Sequence, residues 1–338
     1  MLILDPCLLP VVRDVGSLPS LGHPTLDRYL EFVASRARWN TVLATHSDLR
    51  AFFTVVDKAP VEVTVADVLA FIAAQRRPRH DRVVRLSDGE AGMSAQTIKR
   101  RLSSVSGLFS WLLLLEEVTA NPVPRGLATR RSRGKRGSVP LIRAPRTLPK
   151  VLTPQEVNAL LAALRTWRDR AMVEAMLLGG LRRCEVLGLR LQDLRPSEGR
   201  LFVAEGKGGH QRLVPISPRF FRTLSRYVDG ERPEGNAEKV FLALKGPRRG
   251  RPLDADGLEE IVRAARRRAG LAHATCHELR HTCLTRLREA GMALEAVQAQ
   301  AGHRSIESTR IYLHLANDWL TEEYTRAIVS IDTQAATR

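Results

Sequence analysis

The sequence predicts a mainly α-helical protein with one small β-sheet. Apolar residues recur at spacings of three and four along most of the chain, the period of an amphipathic helix. A single stretch, "RLFVAEGKGGHQRLVPIS" (200–217), alternates instead on both sides of a Gly-rich turn, which is the pattern of a β-hairpin. One segment, 125–150, carries nine Lys or Arg and no acid. Its Pro and Gly content reads as an extended linker that divides the helical pattern into two blocks.

The elements follow in order. Residues 1–24 have no clear period and are expected to form an irregular N-terminal arm. From Leu26 to Val56 the apolar positions Tyr29, Leu30, Val33, Val42, Leu43, Leu49, Phe52 and Phe53 mark amphipathic helix, with a break expected near Trp39 and Asn40. "TVADVLAFIAAQ" (64–75) opens on a Thr cap with Asp67 three residues on. Residues 76–93 are charged and turn-rich, a loop. "SAQTIKRRLSSVSGLFSWLLLLEEV" (94–118) gives one or two helices, ended by "NPVP". The first block, 25–124, is thus a helical domain. The second begins at "LTPQEVNALLAAL" (152–164), where Thr153, Pro154 and Glu156 form a capping-box signature. Helices are expected at 167–178, from about Arg183, and at 254–269, 277–290, 293–300 and 305–312.

Composition bounds the function. The 338 residues suffice for two domains with a sizeable core. No run of eighteen apolar residues is free of charge, so no membrane span is expected. Cys7, Cys184, Cys276 and Cys283 show no C-x-x-C pair and read as free thiols in a reducing cytoplasm. The net charge of +17 concentrates polyanions on the protein, chiefly nucleic acid. The segment 125–150 is expected to track DNA phosphates through Arg130, Arg131, Arg133, Lys135 and Arg136. Lys99 and Arg100, in the 94–118 helix, are further candidate DNA contacts.

Several polar residues of the second block sit beside structural punctuation. Arg182 follows Gly179-Gly180-Leu181, and Lys207 lies between two glycines of the hairpin turn. His277, Arg280 and His281 share one helix face. His303 follows Gly302, and Tyr312 lies nine residues further on. Singly each has a bland reading: capping, solvated or half-buried. Together they match what metal-free phosphodiester transfer needs. Two arginines can clamp the phosphate oxygens. A lysine can be the acid, a tyrosine the nucleophile, and histidines can tune proton traffic.

"HELRH" (277–281) also matches the H-E-x-x-H zinc string. In the longer zinc motif that continues with Gly and His, positions 284 and 287 would be those residues, and here both are Leu. Zinc proteolysis would also leave Arg182, Lys207, Tyr312 and the basic segment without a role.

The ordered set closely resembles the tyrosine recombinase family, the phage integrases and Xer-type recombinases. The strings that carry the resemblance are "GLRRCEVLGLRLQDL" (180–194), "GKGGHQRLVPI" (206–216), "HELRHTCLTRL" (277–287) and "AGHRSIESTRIYLH" (301–314). The resemblance implies a helical, SAM-like core-binding domain (25–124), a basic linker (125–150) and a catalytic domain (151–316). It implies that 317–338 form a C-terminal helix or tail that docks on a neighbouring protomer. It further implies that Tyr312 attacks the scissile phosphate and becomes joined to the 3′ end. Arg182 and Arg280 would bind the phosphate, Lys207 would protonate the departing 5′ oxygen, and His277 would act as acid/base or position the nucleophile. His303 would donate to the phosphate and Glu185 would support the site. Cys184, where a small hydroxyl residue is common, and Ala301, where leucine is common, depart from the pattern at supporting positions.

The expected function is site-specific DNA recombination on double-stranded DNA by a homotetramer holding two duplexes. No cofactor is expected, because a phosphotyrosine bond conserves the energy of the broken phosphodiester. Two alternatives stand beside it: a type IB topoisomerase-like enzyme, and an architectural DNA-binding protein without catalysis. The short domain plan argues against the first and the complete residue set against the second.

Overall fold

The computed structural model describes residues 18–77, 92–124, 141–142, 149–204 and 211–302. The chain divides into two compact units, Met1–Arg146 and Thr147–Arg338. Most of the N-terminal arm and of the basic segment, the hairpin turn, the 305–312 helix and the C-terminal tail lie outside the described residues.

The first unit is helical. The long amphipathic pattern divides into α1 (Pro24–Arg36) and α2 (Trp39–Phe53). The break falls at Ala37 and Arg38, both in extended backbone, just before the expected position. Thr64 and Asp67 form a reciprocal capping box that starts α3 (Val65–Arg76). Ser94 caps α4 (Ala95–Leu114), a single helix of 20 residues. The core is aromatic-rich: Phe52, Phe71 and Phe109 are buried among Leu26, Leu49, Ile98 and Leu108. On α4, Lys99 and Arg100 are exposed. Arg100 donates to Asp48 at 2.6 Å, and Ser104 donates to the same oxygen at 2.8 Å. Asp48 itself is buried, so these bonds compensate its desolvation.

The second unit is helical around a three-stranded sheet. Thr153 and Glu156 close a capping box, with Pro154 first in α5 (Pro154–Ala162). Thr166 caps α6 (Trp167–Gly179), which is buried on nearly every side through Ala171, Met172, Val173, Ala175 and Met176. A helix covered on nearly every side lies at the domain centre, and its buried charges are paired, Arg168 with Asp169 and Glu174 with Arg219. It ends at Gly180, whose φ of 65° is left-handed. A short α7 (Arg183–Gly188) follows.

Three antiparallel strands come next: β1 (Leu194–Arg195), β2 (Arg200–Val203) and β3 (Arg212–Pro215), in that order. The expected hairpin is β2–β3; β1 is a two-residue addition too short to show alternation. Then comes α8 (Pro218–Gly230), for which the sequence reading offered no element. Ser217 caps it, Pro218 leads it, and Phe220, Leu224 and Tyr227 face the core at helical spacing. The unit continues with α9 (Ala255–Arg268), α10 (Cys276–Glu289) and α11 (Leu294–Ala301). Helices α8 and α10 pack on α6, and α11 packs on α10. Among the described residues, no helix is long and apolar enough to cross a membrane.

Candidate active site

The site is organised by a carboxylate. Glu185 lies on α7, and its side chain is wholly buried. Arg212 on β3 pairs with it through both guanidinium nitrogens, each 2.9 Å from a carboxylate oxygen. Arg182 donates its backbone N–H to Glu185 at 2.8 Å and its guanidinium at 2.7 Å. A third guanidinium, that of Arg280 on α10, reaches within 3.9 Å of the same carboxylate. Burial alone would raise the Glu185 pKa. The hydrogen bond and charge of Arg212, then those of Arg182, outweigh burial and hold it below the ordinary value.

The other half of the frame is a helix end. Three consecutive carbonyls at the C-terminus of α11 each accept from one of the three arginines. Gln300 O takes Arg212 Nε at 3.3 Å, Ala301 O takes Arg280 Nη2 at 2.6 Å, and Gly302 O takes Arg182 Nη2 at 3.1 Å. Arg280 also donates to the carbonyl of Gly180 at the C-terminus of α6. Helix C-termini carry partial negative charge and orphan carbonyls, so both helix ends suit cations. Gly302 caps α11 with φ 60°. A Cβ there would stand 2.9 Å from Arg212 Nη1, so the bare backbone is what admits the guanidinium. Gln300 fixes the helix end further, donating at 3.0 Å to both Gly179 O and Pro215 O.

Three guanidinium charges thus surround one carboxylate, leaving an excess of positive charge. Only two of the five N–H groups of Arg182 are taken by described residues. Its side chain is about 20% exposed, which leaves it open to an anion. Such a cluster, held by fixed carbonyls, has the charge and the donors that a phosphate requires.

His277 and His281 stand one turn apart on α10 with their Nε2 atoms 2.8 Å apart. One ring donates and the other accepts. His277 is exposed, yet partial desolvation, then the charges of Arg280 and Arg182, lower its pKa. His281 is pushed down to about 4 by desolvation, with His277 and Arg280 adding to it. Both rings are therefore neutral near pH 7. Thr275 caps this helix through the N–H of Glu278, the glutamate of the "HELRH" string.

Of the residues expected from sequence, the structure brings together Arg182, Glu185 and Arg280, with His277 beside them. Lys207, His303 and Tyr312 lie outside the described residues, as do Arg130, Arg131, Arg133, Lys135 and Arg136. Lys99 and Arg100 belong to the other unit. Arg212 and Gln300 were not anticipated. A signal for Arg212 exists: strand alternation sets it on the same face as buried Val214, where a charge requires a partner. Cys276 and Cys283 are buried free thiols pushed up to about 12 by desolvation, and so are inert. Among the described residues, no group of three His, Cys, Asp or Glu could hold a metal ion.

Comparison with known proteins gives a consistent picture. Residues 150–318 match the model of the phage integrase family. The chain is 31% identical to the tyrosine recombinase XerD of Bifidobacterium longum, over 84% of this chain and 89% of that one. In fold it is similar to lambda integrase (75–356) in a dimer bound to a COC′ core site, with a TM-score of 0.63 and 21% identity over 85% of this chain and 93% of that one. It is also similar to lambda integrase in a tetramer bound to a Holliday junction, with a TM-score of 0.61 and 21% identity over 84% and 76% of the two chains.

Proposed function

The chain belongs to the phage integrase family and is a tyrosine recombinase, and from that premise we propose that it cuts and rejoins DNA through a covalent 3′-phosphotyrosyl bond at Tyr312. The observation that carries the chemistry is the convergence of Arg182, Arg212 and Arg280 on Glu185, which leaves a rigid, net positive receptor. Arg182 and Arg280 bind the non-bridging oxygens and stabilise the charge that grows on them in the transition state. Tyr312 attacks phosphorus as the 5′ oxygen leaves. Lys207 gives that oxygen its proton, His277 receives the tyrosine proton, and His303 donates to the phosphate. The neutral state of His277 near pH 7 suits a base. One ester is exchanged for another, so the scheme calls for no ATP, and the guanidinium charges of Arg182 and Arg280 serve where a metal otherwise would.

Double-stranded DNA at a specific site is the substrate, and four protomers act on two duplexes. The lambda integrase tetramer on a Holliday junction supports this assembly through its similar fold. In this reading 25–124 bind DNA, 125–150 strap it, 151–316 cut it, and 317–338 dock on the next protomer. The protein acts in the cytoplasm. Deleting 318–338 is then expected to spare binding by single protomers and abolish the four-protomer complex.

The test is a nicked suicide substrate, from which a short product diffuses away after cleavage. The wild-type chain is expected to accumulate a covalent DNA adduct, with or without excess EDTA. Tyr312→Phe is expected to bind the DNA and form none. An adduct with that variant, or inhibition by EDTA that zinc restores, would overturn the assignment. Strand exchange between two sites separates recombination from relaxation of one duplex.

A further inference from the structure

His281 has no part in the reaction proposed above, yet its ring faces His277. The two residues sit at i and i+4 on the first two turns of α10, with Nε2 to Nε2 at 2.8 Å and ring centroids 4.2 Å apart. We propose that this pair chelates a late first-row divalent cation, zinc above all, and that the bound ion blocks His277 and inhibits strand cleavage.

The geometry is near what the ion needs. Zinc–nitrogen bonds of about 2.0–2.1 Å at a tetrahedral angle separate two ligand atoms by ~3.4 Å. Small rotations of the two rings open the present gap to that value while the helix holds both Cβ atoms in place. The ion takes the position of the proton shared between the Nε2 atoms. The donor ring gives up its Nε2–H proton, to its own other nitrogen or to buffer, as the Nε2 lone pair turns to the ion. The exposure of His277 gives the ion a way in.

Chemistry sets the class of ion and its strength. Imidazole pairs favour zinc, nickel and copper(II), whereas magnesium and calcium seek oxygen ligands. Arg280 and Arg182 repel a dication, and Glu278 offsets them in part. Two ligands against that field make a weak, reversible site: an inhibitory one, not a resident cofactor. The "HELRH" string thus keeps the metal affinity of its two histidines without the protease chemistry.

The inhibitory consequence rests on the proposed role of His277; the binding does not. The full chain, stripped of metal, is titrated with zinc against a chromophoric chelator. One zinc per chain is expected, with at least tenfold weaker binding in His277→Ala and in His281→Ala and no change in Cys184→Ser. Circular dichroism checks the fold, and His281→Phe replaces the alanine variant if that variant unfolds. Equal zinc affinity in the wild type and both histidine variants overturns the site. In the suicide-substrate assay, zinc is expected to inhibit the wild type, EDTA to reverse it, and His281→Ala to resist it at least tenfold relative to its own metal-free rate. Equal inhibition of His281→Ala overturns the block. Zinc binding that depends on both histidines, in a chain that never cleaves, supports the site and sinks the recombinase mechanism instead.

Discussion

Glu185 holds Arg212 in a fork, each carboxylate oxygen 2.9 Å from one guanidinium nitrogen, inside a domain core. The pair joins α7 to β3 across 27 residues of sequence. Arg212 in turn grips the end of α11 through Gln300 O. Glu185 therefore orients the arginines proposed above to meet the phosphate.

Replacing it tests this directly. Glu185→Gln keeps the shape and removes the buried charge that three guanidiniums share. Breaking one side of a buried ion pair costs roughly 3–5 kcal/mol, so a large drop in thermal stability is expected. The sign of the pH dependence follows from the depressed pKa. The wild-type contribution is full above the unfolded value near 4.5 and is lost as pH falls through the lower folded value. Thermal melts of the wild type are expected to weaken below about pH 4.5, and Glu185→Gln to lose that part of the dependence. Parallel curves would remove Glu185 as the organising charge.

Gly302 gives a second test. Alanine at a left-handed position costs roughly 1–2 kcal/mol whatever surrounds it. At Gly302 the new Cβ would also press on Arg212, at 2.9 Å. Gly291, with φ 89°, offers a control, since nothing lies within 4 Å of its would-be Cβ. Both alanine variants are expected to lose similar stability, but only Gly302→Ala to lose cleavage by a further order of magnitude or more. Equal cleavage in the two variants would mean that the Arg212 contact does not matter to the chemistry.

Lys207 makes a chemical prediction. If it protonates the 5′ oxygen, a 5′-bridging phosphorothiolate, whose thiolate leaves without a proton, should restore cleavage to Lys207→Ala. Persistent inactivity on that substrate assigns the acid elsewhere, with His277 next in line.

The basic segment makes an electrostatic one. Each phosphate contact adds about 0.9 to the slope of log affinity against log salt. Neutralising Arg130, Arg131, Arg133, Lys135 and Arg136 together should flatten the slope by roughly two to four units. Specific and non-specific DNA should weaken alike, because phosphate contacts carry no sequence. An unaltered slope would make the segment a passive spacer.

Much of this architecture was legible because its signals are local. The caps at Thr64 and Thr153 and the alternation around the hairpin are written within a few residues of what they specify. Arg182, Arg280 and Glu185 were found through ordered motifs. Arg212 was hidden because its partners are remote: Glu185 is 27 residues away and Gln300 is 88. The use of backbone carbonyls as partners leaves no residue-type signature at all, so the role of the α11 terminus emerges only in three dimensions. Helix α8 was legible in principle, since Ser217-Pro218 and the spacing of Phe220, Leu224 and Tyr227 mark it plainly.

The arginine-to-carbonyl bonds at the end of α11 also impose an order in time. Arg182 reaches Gly302 across 120 residues, and Arg280 reaches Ala301 across 21. A chain emerging from the ribosome makes its arginines long before it makes the carbonyls that aim them. Until residues 294–302 are synthesised and seated, those side chains lack the carbonyl partners that fix them. The proposed nucleophile, Tyr312, is made later still, so the proposed cleavage waits both for this helix to dock and for that residue to follow it.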